Sequence, residues 1–143
     1  MTSCLICERV ALAKAGRSPH LVAEMEHSLF VVGDHQWHRG YALVLLKAHV
    51  REPFDLPADL QCAHFQEVMR AAKALNNTFH PRKMNLSCYG NAEPHVHWHL
   101  FPRYENDPHP GKDPWKDIAR FAEKTITARQ AIEIAARIRP NFA

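Results

Sequence analysis

Three histidines alternate with apolar residues in the segment 94–103, which reads Pro-His-Val-His-Trp-His-Leu-Phe-Pro-Arg. Alternate side chains of a β-strand point to opposite faces of the sheet, so His95, His97 and His99 are predicted to share one face. Neighbouring imidazoles of this set would lie roughly 6.6 Å apart along the strand. A neutral imidazole can bind a metal ion or act as a nucleophile near neutral pH. The segment therefore predicts a site for metal binding or for nucleophilic catalysis.

A second group that could do chemistry lies near the N-terminus, where Cys4 and Cys7 form a C-x-x-C pair. Two thiolates supply half of the four ligands that zinc prefers, so the pair is a candidate half-site. It is also compatible with two reduced thiols in a helix or with a redox pair, although no strand–turn–helix pattern precedes it. Cys62 and Cys88 stand alone, so the four cysteines do not indicate a disulfide framework.

The composition limits the class of protein that carries these groups. The chain has 143 residues, of which 46% are hydrophobic and 23% charged, as in one folded domain. Its 18 basic and 15 acidic residues give a net charge of +3, which favours small anionic ligands but is too low to indicate nucleic-acid binding. The longest apolar run, residues 41–46, is too short to span a membrane. Without a basic-then-apolar leader pattern, we expect a cytoplasmic protein that binds no membrane.

The remaining pattern predicts the elements that would hold these groups. Strand signals occur at residues 21–26, 28–32, 41–46, 83–89 and 95–101. Helical spacing predicts a short helix over 4–14, a long helix that begins at Pro57 and is ended by Asn76, Asn77 and Pro81, and a terminal helix that begins at Thr127 and ends at Pro140. Prolines and Gly111 predict a surface loop over 103–114. We therefore predict one α+β domain, residues 1–143, in which an antiparallel sheet of about five strands packs on a long central helix and a C-terminal helix.

The alternation at residues 95–101 resembles the H-φ-H-φ-H-φ-φ signature of the histidine-triad (HIT) superfamily of nucleotide hydrolases and transferases. The resemblance extends to Gly90-Asn91, to Pro102-Arg103, to the strand that ends in Lys47-x-His49, and to the C-x-x-C pair. It covers a core of about residues 4–103 and leaves 104–143 as a C-terminal loop and helix. Within the superfamily, the sequence is most similar to bacterial diadenosine polyphosphate hydrolase-like proteins.

The resemblance implies a catalytic role for three residues. His97 would attack the α-phosphorus of a nucleoside phosphoanhydride or phosphoramidate, such as a diadenosine polyphosphate, and form a covalent nucleotidyl-histidine. Its other ring nitrogen should donate to a backbone carbonyl, which leaves the attacking nitrogen bare. His99 would hydrogen-bond the phosphate or the leaving group, and Asn91 would donate to a non-bridging oxygen. A histidine as the third member favours hydrolysis over the uridylyl transfer of relatives that carry Gln there.

The resemblance also implies a metal site, a nucleotide pocket and a partner. Structural zinc would be held by Cys4, Cys7, His49 and His95, with no organic cofactor. The small-molecule partner would be a nucleotide. Leu5, Ile6, Phe30 and Val32 would form an apolar slot for its base. Asp34 would accept hydrogen bonds from the ribose hydroxyls, and Arg103 would attract the phosphates. Since proteins of this superfamily are usually dimers, we expect a homodimer with the long helix and a sheet edge at the interface.

Two other functions are compatible with the sequence. The chain could transfer nucleotides or bind them without turnover. Alternatively, the three histidines of the alternating segment could share one catalytic zinc, although same-face positions i, i+2 and i+4 span about 13 Å. The other histidines are expected at the surface: His20, His27, His35, His38, His64, His80 and His109.

Overall fold

In the computed structural model, which describes residues 3–143, the chain forms one five-stranded antiparallel sheet with helices on both faces. The strands are β1 (Leu21–Glu24), β2 (Ser28–Val32), β3 (Ala42–Leu46), β4 (Lys83–Ser87) and β5 (His97–Arg103). Their order across the sheet is β1-β2-β3-β5-β4, so β4 and β1 form its edges. The helices are α1 (Leu5–Lys14), α2 (Ala58–Phe79) and α3 (Ala128–Ile138). The predicted α+β architecture is confirmed.

One face of the sheet packs against α2 and α3. Phe30, Val44 and Leu100 are fully buried there, beneath apolar side chains that recur along α2 with helical spacing. The sequence predicts that Asn76, Asn77 and Pro81 end α2; the helix passes the two asparagines, continues to Phe79 and stops at His80, directly before Pro81, where φ is +49°. The buried ring of Phe79 packs into this core, and that tertiary contact outweighs the weak helix propensity of the two asparagines.

The opposite face of the sheet packs against α1, and we refer to it as the triad face because it carries His97 and His99. Ile6, Val10 and Ala13 of α1 cover the buried Leu29 and other apolar residues of this face. At the start of α1, the Cys4 sulfur accepts a hydrogen bond from the Cys7 backbone N–H at 3.4 Å. The helix thereby fixes the spacing of the two thiols.

The C-terminal part of the chain combines a predicted and an unpredicted element. Thr127 and Gln130 form the expected reciprocal capping box at the start of α3, with N–H to side-chain oxygen distances of 3.2 and 2.8 Å. A 3₁₀ helix over Pro114–Lys124 was not predicted; two shorter ones occupy Pro53–Asp55 and Arg139–Asn141. No helix in residues 3–143 is long and apolar enough to cross a membrane.

Strand β5 begins two residues later than the pattern predicts. His95 lies outside the strand, and Val96 exchanges backbone hydrogen bonds with Val50 and Leu46. The backbone therefore leaves the regular ladder just before the first histidine of the alternating segment. As a result, the prediction that His95, His97 and His99 share one strand face holds only for the second and third.

Candidate active site and metal centre

Two imidazoles meet at the centre of the triad face. His97 pairs with Leu45 and His99 with Leu43 in the β3–β5 register, which puts both rings on the side of α1. The ring centroids lie 5.0 Å apart at an angle of 69°. The two side chains are therefore close enough to contact one small group.

The backbone determines the tautomer of His97. Its Nδ1 lies 2.6 Å from the carbonyl oxygen of His95, and because a carbonyl can only accept, Nδ1 must carry the proton. In a neutral imidazole, the other nitrogen, Nε2, then has a free lone pair. The hydrogen bond expected from the sequence is present, and it leaves His97 with one bare nitrogen.

Tyr41 determines the tautomer of His99. The Tyr41 hydroxyl lies 2.7 Å from Nδ1 of His99 and has no other hydrogen-bond partner among the described residues. Burial raises the pKa of this hydroxyl, so it stays protonated and donates to Nδ1. Burial, reinforced by the neighbouring His97 and His35, lowers the pKa of His99 to about 4. His99 is therefore neutral at pH 7 and carries its proton on Nε2, the opposite tautomer to His97.

A cavity of about 660 Å³ opens over these two rings, and we refer to it as the first cavity. It lies between α1, the triad face and the Pro114–Lys124 segment. Six of the residues predicted for catalysis or nucleotide binding line it: Leu5, Ile6, Asp34, Asn91, His97 and His99. The structure thus brings together most of the residues that the sequence assigned to the reaction.

Phe30 and Val32 are a correction to the predicted nucleotide pocket. Both are fully buried beneath α2, on the face of the sheet away from the first cavity. Side chains along β2 alternate between faces, and the positions that face α1 are Leu29 and Val31. The apolar character of β2 was read correctly, but its two faces were assigned in the wrong order.

Arg103 is a second correction, because it is 2% exposed and does not line the first cavity. Its guanidinium donates to Asp107 and to Asn85, both at 2.8 Å, and to the carbonyls of Lys112 at 2.6 Å and His109 at 3.0 Å. With these donors already paired, Arg103 is placed to hold the 107–112 segment against β4 and β5 rather than to bind a phosphate.

Asp34 lines the first cavity as predicted, but it has a partner that the sequence did not reveal. Arg9 of α1 donates to its carboxylate at 2.9 Å through Nη1 and also through Nη2. Burial raises the pKa of Asp34, yet the hydrogen bond and charge of Arg9 outweigh it, and the net direction is down. The carboxylate is therefore ionised, and its exposed side can still accept from a ligand hydroxyl.

Two further aromatic residues line the first cavity, and neither is among the predicted site residues. Trp115 packs its edge against His99 with a centroid distance of 4.8 Å, and His35 stacks between Tyr41 at 4.5 Å and Phe121 at 4.2 Å. Desolvation lowers the pKa of His35 to about 4. The spacing of Trp115, Ile118 and Phe121, three residues apart, was the available signal, because residues i and i+3 of a 3₁₀ helix eclipse each other.

Two of the histidines that were expected at the surface are buried. His38 is 1% exposed and lies between the carboxylates of Asp107 at 3.7 Å and Asp117 at 4.0 Å. His64 is 3% exposed and bonds Ser28 and Trp98. Each lies in the core because its partners come from segments distant in sequence, which no local pattern reveals.

A separate cluster of cysteines and histidines next to the first cavity has the arrangement that could hold a metal ion. One ligand atom from each of Cys4, Cys7, His49 and His95 lies within 4.8 Å of the others. Nδ1 of His95 lies 3.4 Å from the Cys4 sulfur, 3.5 Å from the Cys7 sulfur and 3.2 Å from Nδ1 of His49. Tetrahedral zinc places its S and N ligands about 3.3–3.8 Å apart, so these distances fit.

The hydrogen bonding of His95 supports the same conclusion. Its Nε2 lies 2.7 Å from the carbonyl oxygen of Leu46, so Nε2 carries the proton and the Nδ1 lone pair faces the cluster. A backbone carbonyl that orients a ligating histidine in this way is typical of metal sites. The donor set, two thiols and two imidazoles, is one that zinc prefers.

Comparisons with known proteins agree with this geometry. The family model of the HIT domain matches residues 17–106. A curated relative, "Protein hit" of Bacillus subtilis, is 29% identical over 108 residues, which are 71% of this chain and 72% of the relative. A histidine-triad protein structure from Sinorhizobium meliloti superposes with a TM-score of 0.74 at 20% identity, over 90% of this chain and 93% of that one. A zinc-bound histidine-triad family protein from Mycobacterium smegmatis gives 0.67 at 24% identity, over 98% and 93%.

Proposed function

This chain belongs to the HIT domain family, whose members typically bind nucleotides and act on them, and from that premise we propose that it is a nucleotide phosphohydrolase. It would cleave at the α-phosphorus of a nucleoside phosphoanhydride or phosphoramidate through a covalent nucleotidyl-histidine at His97. The observation that carries this proposal is the bare Nε2 of His97, which results from the bond between its Nδ1 and the carbonyl of His95. That nitrogen belongs to a ring that lines the first cavity.

The proposed reaction has two steps. Nε2 of His97 forms a bond to the α-phosphorus while the bond from phosphorus to the leaving-group oxygen or nitrogen breaks. Water then attacks the same phosphorus, the N–P bond breaks, and the nucleoside monophosphate is released. The Nε2–H of His99 and the side-chain amide of Asn91 would donate to phosphate oxygens, where negative charge increases in the transition state.

The nucleoside would lie on the α1 side of the first cavity. Leu5 and Ile6 supply an apolar wall for a base, and Asp34 supplies an acceptor for ribose hydroxyls. Transfer of the nucleotide to an acceptor other than water would use the same first step. Binding alone does not require that His97 present a free lone pair and His99 a hydrogen-bond donor. Because catalysis does require both, we favour catalysis.

A triad zinc enzyme is disfavoured by the directions of the three rings. Nδ1 of His95 faces the cysteines. Nδ1 of His97 is instead hydrogen-bonded to the His95 carbonyl, and Nδ1 of His99 to the Tyr41 hydroxyl. We propose instead that zinc at Cys4, Cys7, His49 and His95 is structural, as the donor set and the zinc-bound Mycobacterium smegmatis relative support. Bound there, it would crosslink the start of α1 to the segment that leads into β5.

We also propose a homodimer and a cytoplasmic location for a single domain over residues 1–143. The exposed edge of β4 offers unpaired backbone groups, and the α2 side of this edge carries Phe65, which is 49% exposed, and Leu86, which is 36% exposed. Phe65 lies against Trp98, so this patch is apolar and continuous with the sheet. The free thiols, including the metal cluster, suit a reducing compartment.

The direct test is to trap the covalent intermediate. The protein is mixed with diadenosine triphosphate labelled in its α-phosphate, quenched with alkali and separated from free label. We expect label that is stable to alkali and released by acid, and none in His97→Ala. His80→Asn is the matched control, since it removes an exposed histidine whose left-handed backbone tolerates asparagine. Label retained by His97→Ala would contradict the mechanism.

A further inference from the structure

His38 is a buried titratable residue that the proposed reaction does not use. Its imidazole is fully buried, and neither ring nitrogen has a hydrogen-bond partner within residues 3–143. The ring packs in edge-to-face geometry against Phe101 at 5.6 Å and Phe121 at 6.0 Å, two members of the apolar cluster on the triad face. Because an unsatisfied polar ring is unfavourable in such a setting, packing alone does not explain a histidine here.

Two carboxylates flank this ring, and they differ in how well they are paired. Asp107 lies 3.7 Å from Nδ1 and already accepts from the Arg103 guanidinium at 2.8 Å and from the Tyr104 backbone N–H at 3.0 Å. Asp117 lies 4.0 Å from Nε2. One of its oxygens lies 2.8 Å from Nδ1 of His109, but the other, Oδ2, is buried without a donor. The oxygen that lacks a partner and faces the ring therefore belongs to Asp117.

The charge state of His38 agrees with a contact to Asp117. Burial, together with the neighbouring charge of Arg103, lowers the pKa of His38, so the ring is neutral at pH 7 and carries one proton. With that proton on Nε2, the ring attracts the unpaired Asp117 oxygen; with it on Nδ1, a bare Nε2 would face a carboxylate. At 4.0 Å the contact is an electrostatic attraction rather than a full hydrogen bond.

Asp117 belongs to the 3₁₀ helix over Pro114–Lys124, which we refer to as the covering helix because it closes one side of the first cavity. The end of this helix is fixed by backbone, since the Gln36 N–H donates to the Lys124 carbonyl at 2.9 Å. Among residues 3–143, no backbone hydrogen bond joins residues 114–121 to the sheet or to another helix. Side chains alone therefore hold the first part of the covering helix over the site.

This first part of the covering helix carries Trp115, which contacts one of the two imidazoles of the site. The Trp115 ring packs on His99 with a centroid distance of 4.8 Å, and its indole N–H donates to the Ser87 hydroxyl at 3.3 Å. Trp115 and Asp117 lie within one turn of the same helix, so a displacement of Asp117 also displaces Trp115. A displaced Trp115 would admit water to His99, whose burial keeps it neutral.

From these contacts we propose that His38 is a positioning residue for the reaction: through Asp117 it holds the first part of the covering helix in place, so that Trp115 stays packed on His99. This inference rests on the proposed function. A single contact then accounts for both the buried imidazole and the unpaired carboxylate oxygen. His38 does not line the first cavity, so it acts on the substrate only through these neighbours.

Nuclear magnetic resonance of the unliganded, full-length protein tests the positioning without turnover. His38→Leu keeps apolar packing but leaves the buried Asp117 oxygen without a partner. We expect the His99 ring resonances to shift and the Trp115 indole N–H to exchange with solvent at least about tenfold faster. His38→Gln, whose side-chain amide can still donate, should return both toward the unmutated values. The control is His64→Leu, which removes another buried histidine, on α2 and away from the covering helix.

Unchanged resonances of His99 and Trp115 in His38→Leu would overturn the proposal. Asp117→Leu breaks the same contact from the other side and should shift the same His99 resonances. The absence of a shift in that variant would also overturn the proposal, so the test does not depend on the folding of His38→Leu alone.

Kinetics test the same contact during the reaction. The nucleoside contacts on the α1 side are not altered, so His38→Leu should lower kcat for diadenosine triphosphate several-fold and change KM by less than about twofold. Because His38→Leu and Asp117→Leu break one contact, the double variant should lose no more kcat than His38→Leu alone. Losses that multiply in the double variant would show that the two residues act independently and would overturn the route through Asp117.

The outcomes separate this proposal from the proposed function. If the unmutated protein hydrolyses no nucleotide, the proposed function fails, and with it any role of His38 in that reaction. The resonances would then still show whether His38 holds Trp115 against His99. Normal turnover by His38→Leu, with unchanged resonances, would overturn the positioning role and leave the proposed function intact.

Discussion

Tyr41 and His99 are joined by a 2.7 Å hydrogen bond, and it determines which nitrogen of His99 carries the proton. Tyr41 is itself held tightly: its ring stacks on Phe101 at 4.3 Å, and it lies so close to Gly33 that any side chain there would collide with it. The result is a pair of neighbouring imidazoles, His97 and His99, with opposite tautomers. One offers a lone pair to an electrophile, and the other offers a hydrogen-bond donor to the oxygens around it.

Replacing Tyr41 with Phe should therefore weaken catalysis while keeping the fold. The ring stacking survives, but Nδ1 of His99 loses its donor, so we expect a cost of about 1 kcal/mol in stability and a decrease in kcat of roughly tenfold. The ¹⁵N shifts of the His99 ring should change from a single Nε2–H tautomer to a mixture. Tyr104→Phe is the control, since that hydroxyl donates to the Arg39 carbonyl. An unchanged tautomer would mean that Tyr41 does not set it.

Acid should destabilise the fold through His35 and His99. Both have a pKa near 4 in the folded chain and near 6.5 when unfolded, so between these values the unfolded state binds more protons. Stability is then complete above about pH 6.5 and decreases as the pH falls toward 4, by about 1 kcal/mol per histidine at pH 5 after allowance for partial exposure. Urea unfolding at pH 7 and pH 5 measures this. His35→Phe, which keeps the stacking, should show a smaller pH dependence.

Metal analysis should find about one zinc per chain, and removing its ligands should reduce stability. Cys4→Ser with Cys7→Ser is expected to lose the metal and to lower Tm, because the crosslink between α1 and the start of β5 is lost. His97→Ala should retain the metal, since His97 is not among the four ligands. Loss of zinc in His97→Ala would instead favour a metal shared by the histidine triad.

Asp34→Asn should impair the use of ribonucleotides more than of their 2′-deoxy counterparts. The side-chain amide keeps one oxygen for Arg9 but weakens acceptance from the ribose hydroxyls, so KM should rise by several-fold for the ribo substrate. The comparison of kcat/KM for ribo and deoxy substrates isolates the ribose contact. An equal loss for both would indicate that Asp34 acts only by positioning Arg9.

Arg103→Lys should destabilise the protein rather than weaken phosphate binding. A lysine cannot reproduce the four hydrogen bonds of the buried guanidinium, and it leaves Asp107 poorly paired, so we expect a loss of about 3 kcal/mol in unfolding free energy. Denaturant unfolding gives that number. A wild-type midpoint accompanied by a raised KM would restore Arg103 as a phosphate ligand.

Sequence alone was sufficient wherever the signal is local. The alternation of residues 95–101 placed His97 and His99 together, the spacing from Thr127 to Gln130 identified the start of α3, and the C-x-x-C pair marked half of the metal cluster. In each case neighbours in the chain determine the geometry, through the period of a strand or the turn of a helix. The family signature then connected these segments to His49 and Asn91, which no period could have linked.

Only the tertiary structure determined on which face of the sheet each side chain lies and which residues it contacts. Phe30 and Val32 face α2 because the strand register and the covering helices set the order of the faces, and an apolar strand looks the same in sequence either way. Arg103, His38 and Tyr41 acquired their roles from residues that lie far away along the chain or in turns without a repeating pattern. Such contacts form only in the folded chain, when distant segments pack together. A short stretch of sequence therefore does not contain the information that determines them.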